Sequence, residues 1–377
     1  MINFNAGAKR PAKDDARTAR INAANELVQR TLAQHGLMPG GDKPAGDFAS
    51  GLPDMQDMLA RFQLPLGTGT SGTATSGTGT FGMGTQDADI PDGATFQQSQ
   101  FTCAAGSRAN LTYVPSTASQ GVTGIVVMLH GCTQNPGDFA AGTGMNALAE
   151  QHGFVVIYPQ QTRGDNAQSC WNWFSRGDQR RDRGEPAILA EMTRKAMIEH
   201  EVAADRTFVA GLSAGAAMAV ILGQTYPDVF AAVGAHSGLP FGAAKDVPSA
   251  FAAMAGNGSD TSANTTDGKP TPTIVFHGTA DATVHPANGD RIARNATDRS
   301  AAQTIHTEES GTASGRSFAR KITSTPDGAT AVEHWIIDGL GHAWSGGRPQ
   351  GSYTDAKGPD ASAEMIRFFF ETTDRNV

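Results

Sequence analysis

No dense run of lysine or arginine offsets the formal net charge of -8 on this chain. That balance gives no support for a polyanion partner, and nucleic acid is not an expected ligand. Nowhere do about 18 apolar residues follow one another without interruption, so no transmembrane segment is expected. The opening stretch MINFNAGAKRPAKDDARTAR is basic, yet no apolar core follows it, and it does not read as a Sec signal peptide. Three cysteines in 377 residues cannot make a disulfide scaffold, though they leave room for a single bridge. Metal and nucleotide signatures are missing too. The stretch IEHE lacks the four-residue histidine spacing of a zinc helix, and the glycines of residues 67–85 precede no strand–helix unit.

What is present falls into three zones. In residues 1–66, Ile21, Ala24, Leu27, Val28 and Leu32 recur at helical spacing with Gly36 as a stop. Met55, Met58, Leu59 and Phe62 share one face of a second short pattern. A short helical segment is expected there, either packing on the rest of the chain or fraying, or docking on a partner surface. Residues 67–93 open with GTGTSGTATSGTGTFGMGT, too poor in apolar surface to offset backbone ordering, and read as a flexible linker. Residues 94–377 form the third zone. TFQQSQFTCAAGSRANLTYVPS reads as two strands around a turn. Apolar runs then alternate with helical patterns: GIVVMLHG, helix 138–152, FVVIYPQ, helix 185–202, TFVAG and helix 214–226. The runs FAAVGAHSG, TIVFHGTAD and VEHWIIDG follow, with a last helix over roughly 359–372. The pattern predicts an α/β fold, a mostly parallel central sheet with helices on both faces and ligands at the strands' carboxyl ends.

The residues with chemistry gather at those ends. TFVAGLSAGAAMAV puts Gly211-Leu212-Ser213-Ala214-Gly215 between a strand and an alanine-rich helix, the setting in which G-x-S-x-G carries a nucleophile. Serine needs a base and the base an orienting acid, expected in the order Ser, Asp/Glu, His. Asp281 falls just beyond a buried strand in TIVFHGTADATVHP, ahead of Asp290 and Asp338 as the candidate acid. His342 lies between glycines in IIDGLGHAWSGG and is the candidate base; His334 and His306 follow no strand end. His236 reads as a packing residue and Asp182 as part of a structural ion-pair loop.

An α/β-hydrolase builds its oxyanion hole from the amide after the nucleophile and one from an earlier strand–helix loop. Ala214 would supply the first; VVMLHGCTQNP places Cys132 to supply the second through its main chain. The Cys132 sulfur has two readings: a bridge to Cys170 in QSCWNWF, pinning the oxyanion loop, or two free thiols packed as small apolar groups. Cys103 is expected to be a free thiol. Trp171 and Trp173 are candidates for an apolar wall around the substrate, against an ordinary core role.

Taken in order, VVMLHGCTQNPGDFA, CWNWF, AGLSAGAAMA, HSGLPFGAA, HGTADATVHPANGD and GLGHAWSGG resemble the polyhydroxybutyrate depolymerase family of α/β-hydrolase esterases. That family is related to feruloyl and acetylxylan esterases, and the likeness covers about residues 95–372. It implies a serine esterase for poly(3-hydroxybutyrate) or smaller esters, with Ser213 as nucleophile, Asp281 as acid, His342 as base and Cys132 in the oxyanion loop. No cofactor or metal is needed. The alternatives are a feruloyl or acetylxylan-type carboxylesterase and, from another class, a non-catalytic polymer-granule-binding protein. The resemblance points to an extracellular protein, the missing signal pattern to a cytoplasmic one.

Overall fold

The computed structural model describes residues 90–258, 270–300 and 303–374. The helical segment expected in residues 1–66 lies outside them, as does the linker up to residue 89.

A hairpin, β1 (Thr95–Cys103) and β2 (Gly106–Val114), leads into the sheet. Its centre consists of β3 (Ile125–Leu129), β4 (Val155–Pro159), β5 (Thr207–Leu212), β6 (Ala232–His236) and β7 (Thr273–Gly278), all fully buried. The far edge is made by β8 (Ile305–Ala313), β9 (Arg316–Ser324) and β10 (Thr330–Ile337). The order is β1-β2-β4-β3-β5-β6-β7-β10-β9-β8. It is parallel from β4 to β10 and antiparallel at both margins.

The helices are α1 (Pro136–Thr143), α2 (Met145–His152), α3 (Gly184–Glu199), α4 (Ala214–Thr225), α5 (Val247–Ala252), α6 (Ala287–Arg299) and α7 (Ala361–Asp374). Strand side chains alternate between two cores. Val127, Leu129, Val209 and Val275 join α3, α4 and α6; Val126, Met128, Phe208 and Phe276 join α1, α2 and α7. Phe208 stacks on Phe369 with ring centroids 4.9 Å apart. Both faces are thus covered, which is why these strands carry unbroken apolar runs. The fold is that of an α/β-hydrolase.

Two details depart from the sequence pattern. The helix expected over 138–152 is two helices, because Gly144 adopts a left-handed φ of 63° and caps α1 through its own amide. The β8–β9 hairpin was not expected at all. Strand β8 is exposed along most of its length, so no apolar alternation announces it. Ladder pairing and the Arg320–Glu333 ion pair at 2.7 Å secure this margin instead.

From β3 the chain steps to β4 on one side and then to β5 on the other. The carboxyl ends of β3 and β5 therefore flank a topological switch point, where such sheets leave a crevice.

Candidate active site

Ser213 occupies the turn between β5 and α4 with φ 56° and ψ -118°, a region that side-chain-bearing residues avoid. The turn persists because its surroundings are tightly determined. A Cβ on Gly215 would lie 2.0 Å from the Leu129 carbonyl oxygen, and one on Gly211 would lie 2.5 Å from the Gly215 carbonyl carbon. The two glycines thus let the helix start pass against the end of β3, while the strain sits on the serine itself. The Ser213 amide donates to the His236 carbonyl at 2.9 Å, and the side chain is 9% exposed at the crevice floor.

Asp281 follows β7 and is fixed by its own loop: Oδ1 accepts from the amides of Thr283 and Val284, both at 2.9 Å. Oδ2 accepts from His342 Nδ1 at 2.8 Å and lies 3.4 Å from His277 Nε2. Burial works to raise the Asp281 pKa. The hydrogen bonds from His277 and His342, the His342 charge and the Val284 amide outweigh it, holding the carboxyl far below the usual carboxylate range. His342 sits in a tight turn, with Ala343 N–H bonded to Gly341 O at 3.0 Å. Its loop crosses the end of β7, where Ala280 N–H meets Leu340 O at 3.0 Å. Nδ1 is spent on Asp281, which leaves Nε2 for a reacting group. Among the described residues Ser213 Oγ forms no hydrogen bond. His342 and Asp281 are joined directly, then, and His342 and Ser213 are not; contacts within a catalytic constellation are often loose until substrate binds.

The loop after β3 lies against this turn. A Cβ on Gly131 would meet the Ser213 Cβ at 3.7 Å. Gln134 braces the loop, accepting from Gly131 N–H at 2.8 Å and donating to Asp138 Oδ2 and Ser352 O, both at 3.0 Å. Thr133 N–H is bonded to Gln168 O at 2.8 Å. The amides of Cys132 and Ala214, by contrast, form no hydrogen bond among the described residues. Two unspent amides beside one serine are what a developing oxyanion requires. His130, one residue upstream, is a structural imidazole. Burial lowers its pKa to about 4, and it donates from Nδ1 to Gly131 O and accepts Gln161 N–H at Nε2.

Cys132 is disulfide-bonded to Cys170, with Cα atoms 4.3 Å apart, and Cys103 is a free, half-buried thiol. The expectation of a tryptophan wall needs correction. Trp171 has no exposed surface, and its indole N–H is used by His130 O at 3.1 Å, so it is core beneath the loop after β3. Trp173 is 6% exposed and packs edge-on against Phe174. Behind them Glu185 accepts from Asn172 N–H and Nδ2, both at 2.7 Å, and from Arg108 at 3.3 Å. Burial first, then the Asp178 charge, push its carboxyl up to about 7 despite Asn172, Arg108 and Gln161. Sequence patterns gave no signal for Gln134 or Glu185, because burial of a polar side chain is a tertiary property.

The rival candidates lie elsewhere. Asp290 is on α6, 3.8 Å from His334, and Asp338 accepts from Thr279 at 3.2 Å. His306 bonds Thr304 and Thr323 on the β8–β9 margin, and Asp182 N–H is held by the Tyr226 hydroxyl. His236 is buried between Phe276 and Trp344 and accepts Ser345 N–H at 3.0 Å; burial, then the His277 and His342 charges, lower its pKa to about 3. No cluster of metal-ligand type exists among the described residues, and none of their helices is long and apolar enough to cross a membrane.

The family model described as esterase PHB depolymerase matches residues 109–302, which hold the loop after β3, Ser213 and Asp281. The chain belongs to the esterase PHB depolymerase family. Among its relatives, poly(3-hydroxyalkanoate) depolymerase C of Paucimonas lemoignei is 35% identical over 259 residues, 66% of this chain and 61% of that protein. Acetylxylan esterase A of Talaromyces purpureogenus is 29% identical over 216 residues, 53% of this chain and 55% of that protein. The chain thus spans 55–61% of the length of these two curated relatives. A solved acetyl xylan esterase from Aspergillus awamori superposes with a TM-score of 0.57 over 73% of this chain and 99% of that one; at 21% identity this likeness shows the fold.

Proposed function

We propose that this member of the esterase PHB depolymerase family is a serine ester hydrolase acting on poly(3-hydroxyalkanoate) chains or their short oligomers. Ser213 Oγ, deprotonated by His342 Nε2, attacks the ester carbonyl. The amides of Cys132 and Ala214 receive the oxyanion. His342 then protonates the departing alcohol and activates water to release the acyl group, while Asp281 holds its tautomer. The observation that carries this reading is the pair of unspent amides beside the strained serine, at the sheet end where Asp281 holds His342. The polyester assignment rests on the relative from Paucimonas lemoignei. An S213A variant should lose ester hydrolysis by on the order of 10⁴-fold or more and escape labelling by a fluorophosphonate. Full activity in S213A would refute the mechanism; no labelling of wild-type protein together with tight granule binding would favour a non-catalytic binding role.

The relative from Talaromyces purpureogenus supports a second reading, a carboxylesterase of the acetylxylan type. A panel of 3-hydroxybutyrate oligomers, polymer film, acetylated xylan and methyl ferulate separates the two by kcat/KM. The Cys132–Cys170 bridge supports action in an oxidising compartment outside the cytoplasm.

A further inference from the structure

Tyr353 stands beside the candidate site and has no part in the acyl-transfer scheme. It precedes β12 (Thr354–Asp355), which pairs with β11 (Trp344–Ser345) just after His342. Its ring meets the His342 imidazole edge-to-face, with centroids 6.5 Å apart. On its other side the phenolic oxygen lies 3.3 Å from Thr133 Oγ1, on the residue after Cys132. Tyr353 therefore spans from the base to the oxyanion loop.

Both residues of that contact are held in strained backbone: Tyr353 has φ 52° and Thr133 φ 65°, unusual for an aromatic and a β-branched residue. Such outliers persist where the surroundings fix them, and they gather at functional sites. Here the fixing groups are identifiable. Asp138 accepts Ser352 N–H at 2.8 Å and Ser352 Oγ–H at 2.6 Å, and Trp344 N–H donates to Tyr353 O at 2.7 Å. Gln134, which braces Gly131, also donates to Ser352 O. One polar cluster thus sets both the oxyanion loop and the Tyr353 backbone.

The phenol itself is weakly engaged. Thr133 Oγ1 donates to Cys132 O at 2.6 Å, so at the Tyr353 contact it can only accept. A 3.3 Å separation is long for a hydroxyl–hydroxyl bond. A half-buried donor held only by this one long contact is available to a ligand. Because His342 delivers the proton to the departing oxygen in the proposed mechanism, a ring packed on His342 borders the leaving alcohol.

We propose, resting on the serine hydrolase reading above, that Tyr353 is a specificity-determining residue for the leaving group. Its hydroxyl donates a hydrogen bond to the carboxyl or carbonyl oxygen of a departing 3-hydroxy acid unit. A leaving alcohol without that oxygen gains nothing from it.

Two substrates with the same acyl group test this: the 3-hydroxybutyrate dimer and sec-butyl 3-hydroxybutyrate, whose leaving alcohols differ in the carboxyl group. In Tyr353→Phe, kcat/KM on the dimer should fall by about tenfold while the sec-butyl ester stays within about twofold, the loss of one hydrogen bond. Thr133→Val, which keeps the β-branched shape, should preserve the dimer preference, since the phenol is the donor. Equal losses on both esters in Tyr353→Phe would mean that the ring merely props His342, and an unchanged dimer preference would mean that the hydroxyl is idle; either overturns the proposal. Retained hydrolysis in S213A would instead sink the serine mechanism and leave the Tyr353 comparison readable on its own.

Discussion

Asp281 turns one carboxylate oxygen to its own loop and the other to His342. Oδ1 accepts two amides at 2.9 Å, and Oδ2 accepts His342 Nδ1 at 2.8 Å. The division of labour matters because the amides fix the carboxylate plane independently of the histidine. Asp281→Asn separates the two jobs. Its carbonyl oxygen can still accept both amides, so the fold should hold. Its NH₂ then faces Nδ1–H, donor against donor, and the imidazole must adopt the wrong tautomer. Turnover should fall by about 10⁴-fold with little change in KM. A Michaelis–Menten series with a melting curve for each protein checks both halves; a loss confined to KM would contradict the assigned role.

The Ser213 turn makes a second, steric prediction. In Gly215→Ala the new methyl would sit 2.0 Å from the Leu129 carbonyl oxygen, a main-chain atom within the sheet that cannot turn aside. Either the helix start must retreat from β3 or β3 must move, and both dislocate Ser213 from Cys132. Destabilisation of about 3 kcal/mol or more is expected, with hydrolysis lost even in protein that remains folded. Denaturant titration alongside activity tests this. A stable, active Gly215→Ala would show that the close approach is unnecessary.

Much of this was legible in the sequence, for a physical reason. Strands buried on both faces write themselves as apolar runs, and a strained strand–helix turn demands glycines around its serine, so β3 to β7 and the Ser213 turn stood out. Asp281 and His342 were legible because they follow strand ends. The β8–β9 hairpin left no trace: β8, held by pairing and exposed along most of its length, obeys no apolar period. Nor did composition reveal that Trp171 lies wholly inside, since a tryptophan in a core and one in a cleft look alike. Gln134, Glu185 and Tyr353 went unnoticed because their importance comes from what distant segments bring to them.

The Cys132–Cys170 bond ties the loop after β3 to the loop carrying Asn172, across a sequence separation of 38. Closing a loop of that length restricts the unfolded chain by about 4 kcal/mol on the entropic account. The double variant Cys132→Ser/Cys170→Ser should lose stability of that order yet keep measurable hydrolysis, because the proposed oxyanion donor is the residue 132 amide. Thiol titration in denaturant gives an independent check. Of three cysteines one is free, so one thiol should react before reduction and three after it. Three reactive thiols without reductant would disprove the bridge.

Glu185 predicts how stability responds to pH. The carboxyl is buried, and its pKa rises from an ordinary 4.5 to about 7, chiefly through that burial and then the Asp178 charge. Arg108, only 3.3 Å away, lowers the pKa but is outweighed by burial and the Asp178 charge. A raised carboxylate pKa means that the folded protein binds the proton more tightly than the unfolded chain. The stabilising contribution is therefore complete below about pH 4.5 and is lost as pH rises towards 7, amounting to about 3 kcal/mol. Glu185→Gln removes the titrating group and leaves one donor facing another, so it should cost about 1–3 kcal/mol and flatten the dependence. Urea unfolding between pH 4.5 and 8 measures both curves. The decisive quantity is the difference between them, which cancels every other titrating group. If the wild-type and Glu185→Gln curves run parallel across that range, Glu185 is not the group that couples folding to protons.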